Sequence, residues 1–82
     1  MGNMTNLEKY NKIFMVSFNK KVEELPKLRY RGFEEWDSVG HMELMSALEE
    51  AFDIMMETPD VLDFTSYEKG KIVLGKYGVE IN

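Results

Sequence analysis

The sequence predicts an all-α fold: a small four-helix bundle, one domain over residues 1–82, with a long loop between its first two helices. Three observations carry this expectation. Apolar residues recur at helical spacing early, in the middle and late in the chain. Residues of the kind that start and stop helices flank those stretches. At 82 residues with no cysteine, the chain supports one domain whose core must hold it together without disulfides or thiolate metal sites. The apolar fraction of 44% is ordinary, which argues against wholesale disorder.

The first helix is expected over residues 6–18, where Leu7, Tyr10, Phe14 and Phe18 form a stripe with Ile13 close by and Glu8, Lys9 and Lys12 pointing away. Asn19 can end it, because asparagine tolerates the left-handed conformation. Residues 22–25 read as one more turn, bounded by Pro26, whose ring disfavours helix in the residue before it. The connection over residues 26–37 carries Leu28, Tyr30, Phe33 and Trp36, too many apolar side chains for a solvated linker. It is expected to pack across the bundle, with Leu28, Phe33 and Trp36 reaching the core. Lys27, Arg29 and Arg31 alternate with apolar residues there, as in a short strand or a nucleic-acid-binding strip, but beside the acidic block three basic residues are expected to balance the charge of the fold.

The second helix is expected from Ser38 to Phe52 or Asp53. Its core stripe is Leu44, Met45, Leu48, Ala51 and Phe52 at 100° per residue. A third, short helix follows to about Asp63, with Thr58 as cap and Pro59 in the first helical position. Thr65 with Glu68 fits a capping box for the fourth helix, whose stripe is Tyr67, Val73, Leu74 and Tyr77. Gly70 falls on that stripe, which predicts a close neighbour. Gly78 is a natural stop, leaving residues 79–82 as a tail.

Charge narrows the function. The net charge is −5, and every Lys and Arg lies at or before Arg31 or at or after Lys69. Glu34, Glu35, Asp37, Glu43, Glu49, Glu50, Asp53, Glu57, Asp60, Asp63 and Glu68 fill the interval. Such a block repels nucleic acid and attracts basic protein surfaces, so no nucleic-acid partner is expected. No apolar run reaches the roughly 18 residues needed to span a bilayer, and the start does not resemble a signal peptide. A cytoplasmic monomer without a membrane partner is the expectation. Met1-Gly2 does not open a myristoylation motif, because Asn6 stands where Ser or Thr is required.

Ser38 is the candidate site. It stands where the long loop becomes the second helix, beside exposed N–H groups and the positive end of the helix dipole, a setting that favours an attached anion. Val39, Met42, Glu43, Glu49, Glu50 and Asp53 lie away from the core stripe, on the same outward side as Ser38. The helix therefore has a core face and an acidic face that carries apolar residues beside a serine.

This pattern resembles the acyl carrier proteins. Their signature of Asp-Ser-Leu, an apolar-Glu-Leu triplet and Leu-Glu-Glu-x-Phe is matched by Asp37-Ser38-Val39, Met42-Glu43-Leu44 and Leu48-Glu49-Glu50-Ala51-Phe52. Thr58-Pro59-Asp60 and Phe64-Thr65-Ser66-Tyr67 look like the starts of that family's third and fourth helices. Glu35 stands where carriers usually have glycine, Trp36 where a small aliphatic residue is common, Gly40-His41 where an Asp-polar pair is common, and Ser46 where many keep an apolar contact.

The resemblance implies a four-helix bundle of acyl-carrier type. It implies 4′-phosphopantetheine attached to Ser38 by a phosphopantetheinyl transferase, with Asp37 helping that enzyme engage the serine. Acyl groups would ride as thioesters on the arm. Glu43, Glu49, Glu50 and Asp53 would meet basic surfaces of acyl-transferring or acyl-activating enzymes, and Val39 and Met42 would supply apolar contact. A specialised lipid or polyketide pathway fits the altered residues around the motif better than the housekeeping fatty-acid pathway.

Two other readings use the same residues. In one, the domain keeps the carrier fold as an unmodified interaction module, with Ser38 only capping its helix. In the other it is an aminoacyl or peptidyl carrier serving an adenylating enzyme. Catalysis is not expected, since His41 lies one helical turn from Ser38 without a nucleophile elbow or oxyanion arrangement. One histidine and no cysteine leave no metal-ligand pattern. The methionines around the second helix, Met42, Met45, Met55 and Met56, read by default as core gap-fillers, Met42 excepted because it looks outward.

Overall fold

Thr5 starts the helical architecture through a capping box that the sequence reading did not single out. Its hydroxyl accepts the Glu8 N–H at 3.1 Å, and the Glu8 carboxylate accepts the Thr5 N–H at 2.8 Å. In the computed structural model, which describes residues 4–82, this opens α1 (Asn6–Phe18), ended by Asn19 at φ 55°. A 3₁₀ helix (Val22–Lys27), α2 (Ser38–Phe52), α3 (Thr58–Asp63) and α4 (Tyr67–Gly75) follow. The described residues are thus mostly helical and contain no strand, but they form five helical segments where four were expected. Met1 and Gly2 lie outside the described residues.

The extra segment arises in the long connection. The 3₁₀ helix runs through Pro26 because Leu25 is fully buried, and burial of that side chain outweighs the restriction proline places on it. Beyond it the loop is tied to the start of α4: the Tyr67 N–H donates to the Leu28 carbonyl at 3.0 Å, and the Tyr30 N–H to the Thr65 carbonyl at 2.9 Å. These two bonds make a single antiparallel bridge between Arg29 and Ser66. The alternation over Lys27 to Arg31 becomes that bridge and goes no further.

The core is aromatic. Phe14 and Phe18 of α1 meet Trp36 of the loop, and Tyr10 of α1 meets Phe64, the C-cap of α3, and Tyr67, the first residue of α4. Trp36 stacks on Phe18 at 5.2 Å between ring centroids, and Phe14 meets its edge at 5.6 Å. Leu28 and Trp36 are buried as expected, whereas Phe33 is half-buried against Phe18 and Trp36. The Tyr10 hydroxyl donates to the Tyr67 carbonyl at 2.7 Å, and burial pushes this phenol well above its ordinary pKa. Gly70 packs where predicted: a Cβ there would overlap both the Tyr10 hydroxyl and the Phe64 ring.

Helix ends depart from expectation by a residue or a few. Glu57, not Thr58, is the N-cap of α3, which leaves Pro59 in its first turn. Ser66, not Thr65, caps α4, its hydroxyl accepting the Lys69 N–H at 2.9 Å. The Thr65 backbone is already engaged by Tyr30, so the cap falls to its neighbour. α4 stops at Gly75, and Gly78 turns the chain at φ 80°. The last residues are no free tail, because Val79 is in the core and Ile81 packs against it. On α2, Leu44, Met45 and Leu48 are buried, Phe52 is half-buried and Ala51 is exposed. Of the four methionines singled out, Met45 and Met56 fill the core while Met42 and Met55 are exposed.

Candidate functional site

Asp37 is the N-cap of α2. Its carboxylate accepts the Gly40 N–H at 2.8 Å, and its carbonyl accepts the His41 N–H at 2.8 Å. Ser38 is therefore the first residue inside the helix, and its hydroxyl takes no part in capping. The unmodified-module reading has Ser38 capping α2; Asp37 caps it instead, and the Ser38 hydroxyl is released from that task. Gly40 lets the loop close on the helix, because its Cα faces the Glu35 carbonyl and a Cβ would overlap that oxygen.

The Ser38 side chain is exposed and has two neighbours that the sequence reading did not place there. The Tyr30 hydroxyl lies 3.2 Å from Ser38 Oγ, and Arg31 Nη2 donates to the same oxygen at 3.3 Å. The hydrogen bond to Ser38, followed by the one to Arg31, lowers the pKa of the Tyr30 phenol. The guanidinium lies 5.3 Å over the Tyr30 ring. Arg31 takes a left-handed backbone (φ 62°), held by its N–H donating to the Trp36 carbonyl at 2.8 Å. Nothing in the sequence announces this pairing, because the loop has no periodicity that would place position 31 beside position 38.

His41 lies beneath the site and faces inward. Trp36 Nε1–H donates to His41 Nδ1 at 2.9 Å, which leaves Nε2 as the protonated nitrogen donating to the Val61 carbonyl at 2.8 Å. Both ring nitrogens are thereby engaged, and neither contacts Ser38. The imidazole instead joins the loop, α2 and α3. Among the described residues no group of three or more His, Cys, Asp or Glu could hold a metal ion.

Outward from Ser38, Val39 (67% exposed) and Met42 (57%) stand with Glu43 beside a shallow groove of about 600 Å³ that Ser46 completes. Glu50 and Asp53 are exposed, with Asp53 ending the helix at φ 55°. Glu49 differs from the expected outward carboxylate: it is half-buried, and its Oε2 accepts the Met56 N–H at 2.8 Å. The acidic block of the sequence is partly neutralised in space, since Asp60 pairs with Lys76 at 3.1 Å and Asp63 with Lys69 at 3.4 Å.

The two glutamates should therefore respond differently to charge reversal. Glu43→Lys should leave the melting midpoint within experimental scatter. Glu49→Lys leaves the Met56 N–H without its acceptor and should cost about 1 kcal/mol, or roughly 4–8 °C in a domain of this size. Thermal melts followed by circular dichroism check both, and equal midpoints would contradict the assignment. No described helix is long and apolar enough to cross a membrane. Comparisons with protein-family models, with curated proteins and with solved structures give no match to this chain.

Proposed function

We propose that this chain is a carrier protein of the acyl-carrier type, bearing 4′-phosphopantetheine on Ser38. One observation carries the reading: the hydroxyl of the first residue of α2 is exposed and relieved of capping by Asp37. A serine whose only task was to start the helix would occupy the cap itself. The order of long, long, short and medium α-helices, with Ser38 opening the second, supports the carrier arrangement.

The residues fit the group. Ser38 Oγ is exposed to a partner enzyme, and the first turn of α2 presents to a phosphodiester the positive end of the dipole and N–H groups other than that of Gly40, which Asp37 holds. Attachment joins Ser38 Oγ to phosphorus, with the nucleotide half of coenzyme A leaving and the serine proton passing to the transferase. Once attached, the group supplies a terminal thiol that holds an acyl cargo as a thioester.

The outer face of α2 supports a docking role. Acidic residues stabilise a helix near its N-terminus and oppose its dipole near the C-terminus. Here Asp37 at the N-cap is the one acidic group at the favourable end and the last turn has no basic residue, while Glu50 and Asp53 crowd the C-terminal end. Such charges serve encounter with basic enzymes better than they serve the helix. Val39 and Met42 add apolar contact beside the serine, and Glu43 lies next to them.

Intact mass after incubation with a promiscuous phosphopantetheinyl transferase and coenzyme A tests the proposal. The parent chain should gain one phosphopantetheinyl group and Ser38→Ala none. Failure of the parent with several transferases would remove the carrier reading.

A further inference from the structure

We propose that Arg31 and Tyr30 form a clasp for the phosphate ester on Ser38, so that the root of the attached arm is held on the protein surface. The inference rests on the carrier reading and adds to it the residues that would hold the phosphate. Its ground is the placement of Arg31. In a chain of net charge −5 with Glu34, Glu35 and Asp37 close in sequence, no carboxylate among the described residues lies within ion-pair distance of this guanidinium. It is instead aimed at the hydroxyl of Ser38. An arginine fork matches the oxygens of a phosphate and binds them more strongly than it binds a neutral hydroxyl.

Tyr30 completes the geometry. The guanidinium lies over its ring, and its hydroxyl stands 3.2 Å from Ser38 Oγ, placed to donate to a phosphate oxygen. The backbone holds both residues independently of Ser38. The Tyr30 N–H is fixed to Thr65 and the Arg31 N–H to Trp36. The clasp is therefore in place before the ester arrives, which reduces the ordering cost of holding it.

The test uses the 82-residue chain made by chemical synthesis with phosphoserine at position 38, whose monoester serves as the probe. The second ionisation of this phosphate is followed by phosphorus NMR in the parent, in Arg31→Gln, in Tyr30→Phe and in Lys27→Gln. Lys27 is exposed at the end of the 3₁₀ helix and controls for loss of one positive charge. Arg31→Gln should raise the ionisation by roughly one pH unit. Tyr30→Phe should raise it less, and Lys27→Gln should match the parent. Asp37 is common to all four chains, so its field cancels. Coincident curves for the parent and Arg31→Gln, with unchanged circular dichroism, would overturn the clasp. Loading by a transferase is scored separately by mass on the same sequence made with an unmodified Ser38, since phosphoserine has no free hydroxyl to load. A chain that titrates as expected but is never loaded would keep the phosphate clasp and lose the carrier reading.

Discussion

Replacing Trp36 by alanine should destabilise the domain by about 3–5 kcal/mol. Native domains are stable by about 5–15 kcal/mol in all, so this variant should lose a large share of its stability. Trp36 is fully buried and stacks on Phe18, and it also lies on His41 with ring centroids 6.1 Å apart. The large cost has two sources, a cavity among aromatic rings and an orphaned polar atom. Trp36→Phe separates them. It keeps most of the ring but leaves His41 Nδ1 buried without its donor, at about 1–3 kcal/mol. Urea unfolding of the three chains checks the order, and a Trp36→Ala midpoint near that of the parent would refute the core assignment.

Gly40→Ala should also destabilise, although alanine is the better helix former. The gain in propensity is at most about 1 kcal/mol. Against it stands an overlap with the Glu35 carbonyl oxygen, a backbone atom that can yield only if the loop moves. Overpacking of this kind costs about 1–3 kcal/mol, so the steric term wins. Because Trp36 and Asp37 follow Glu35 directly, displacing the loop also displaces the cap of α2 and the surroundings of Ser38. The expected result is a lower midpoint and, under the proposed carrier function, slower loading of Ser38 by the transferase. A stabilised Gly40→Ala protein would show that the loop does not bear on the helix as described.

Two positions at which the sequence differs from the acyl-carrier signature it resembles, Trp36 and His41, turn out to be one feature. Read along the chain they look independent. In the fold the indole donates to the imidazole, which in turn donates to the Val61 carbonyl of α3. A large polar-edged ring in the core needs an acceptor for its N–H, and His41 supplies it. This pair joins three segments of the chain at one point beneath Ser38.

Much of the helical organisation was legible in the sequence because it depends on local rules. The spacing of Tyr10, Phe14 and Phe18 marks the inner face of α1, and that of Leu44, Met45 and Leu48 the inner face of α2. Asn19 marks the end of α1, and Gly70 its neighbour's close approach, since both report backbone needs that few residues meet. The prominence of Ser38 at the start of α2 is likewise a local property. Tertiary structure alone decided which of Asp37 and Ser38 caps the helix, because both are good caps and only the path of the loop selects between them. It alone turned Glu49 inward to Met56 and neutralised Asp60 and Asp63 with lysines of α4 and its C-cap. It alone brought Tyr30 and Arg31 to Ser38, since a loop without periodicity takes its course from what it is tied to, here Thr65 and the buried ring of Trp36.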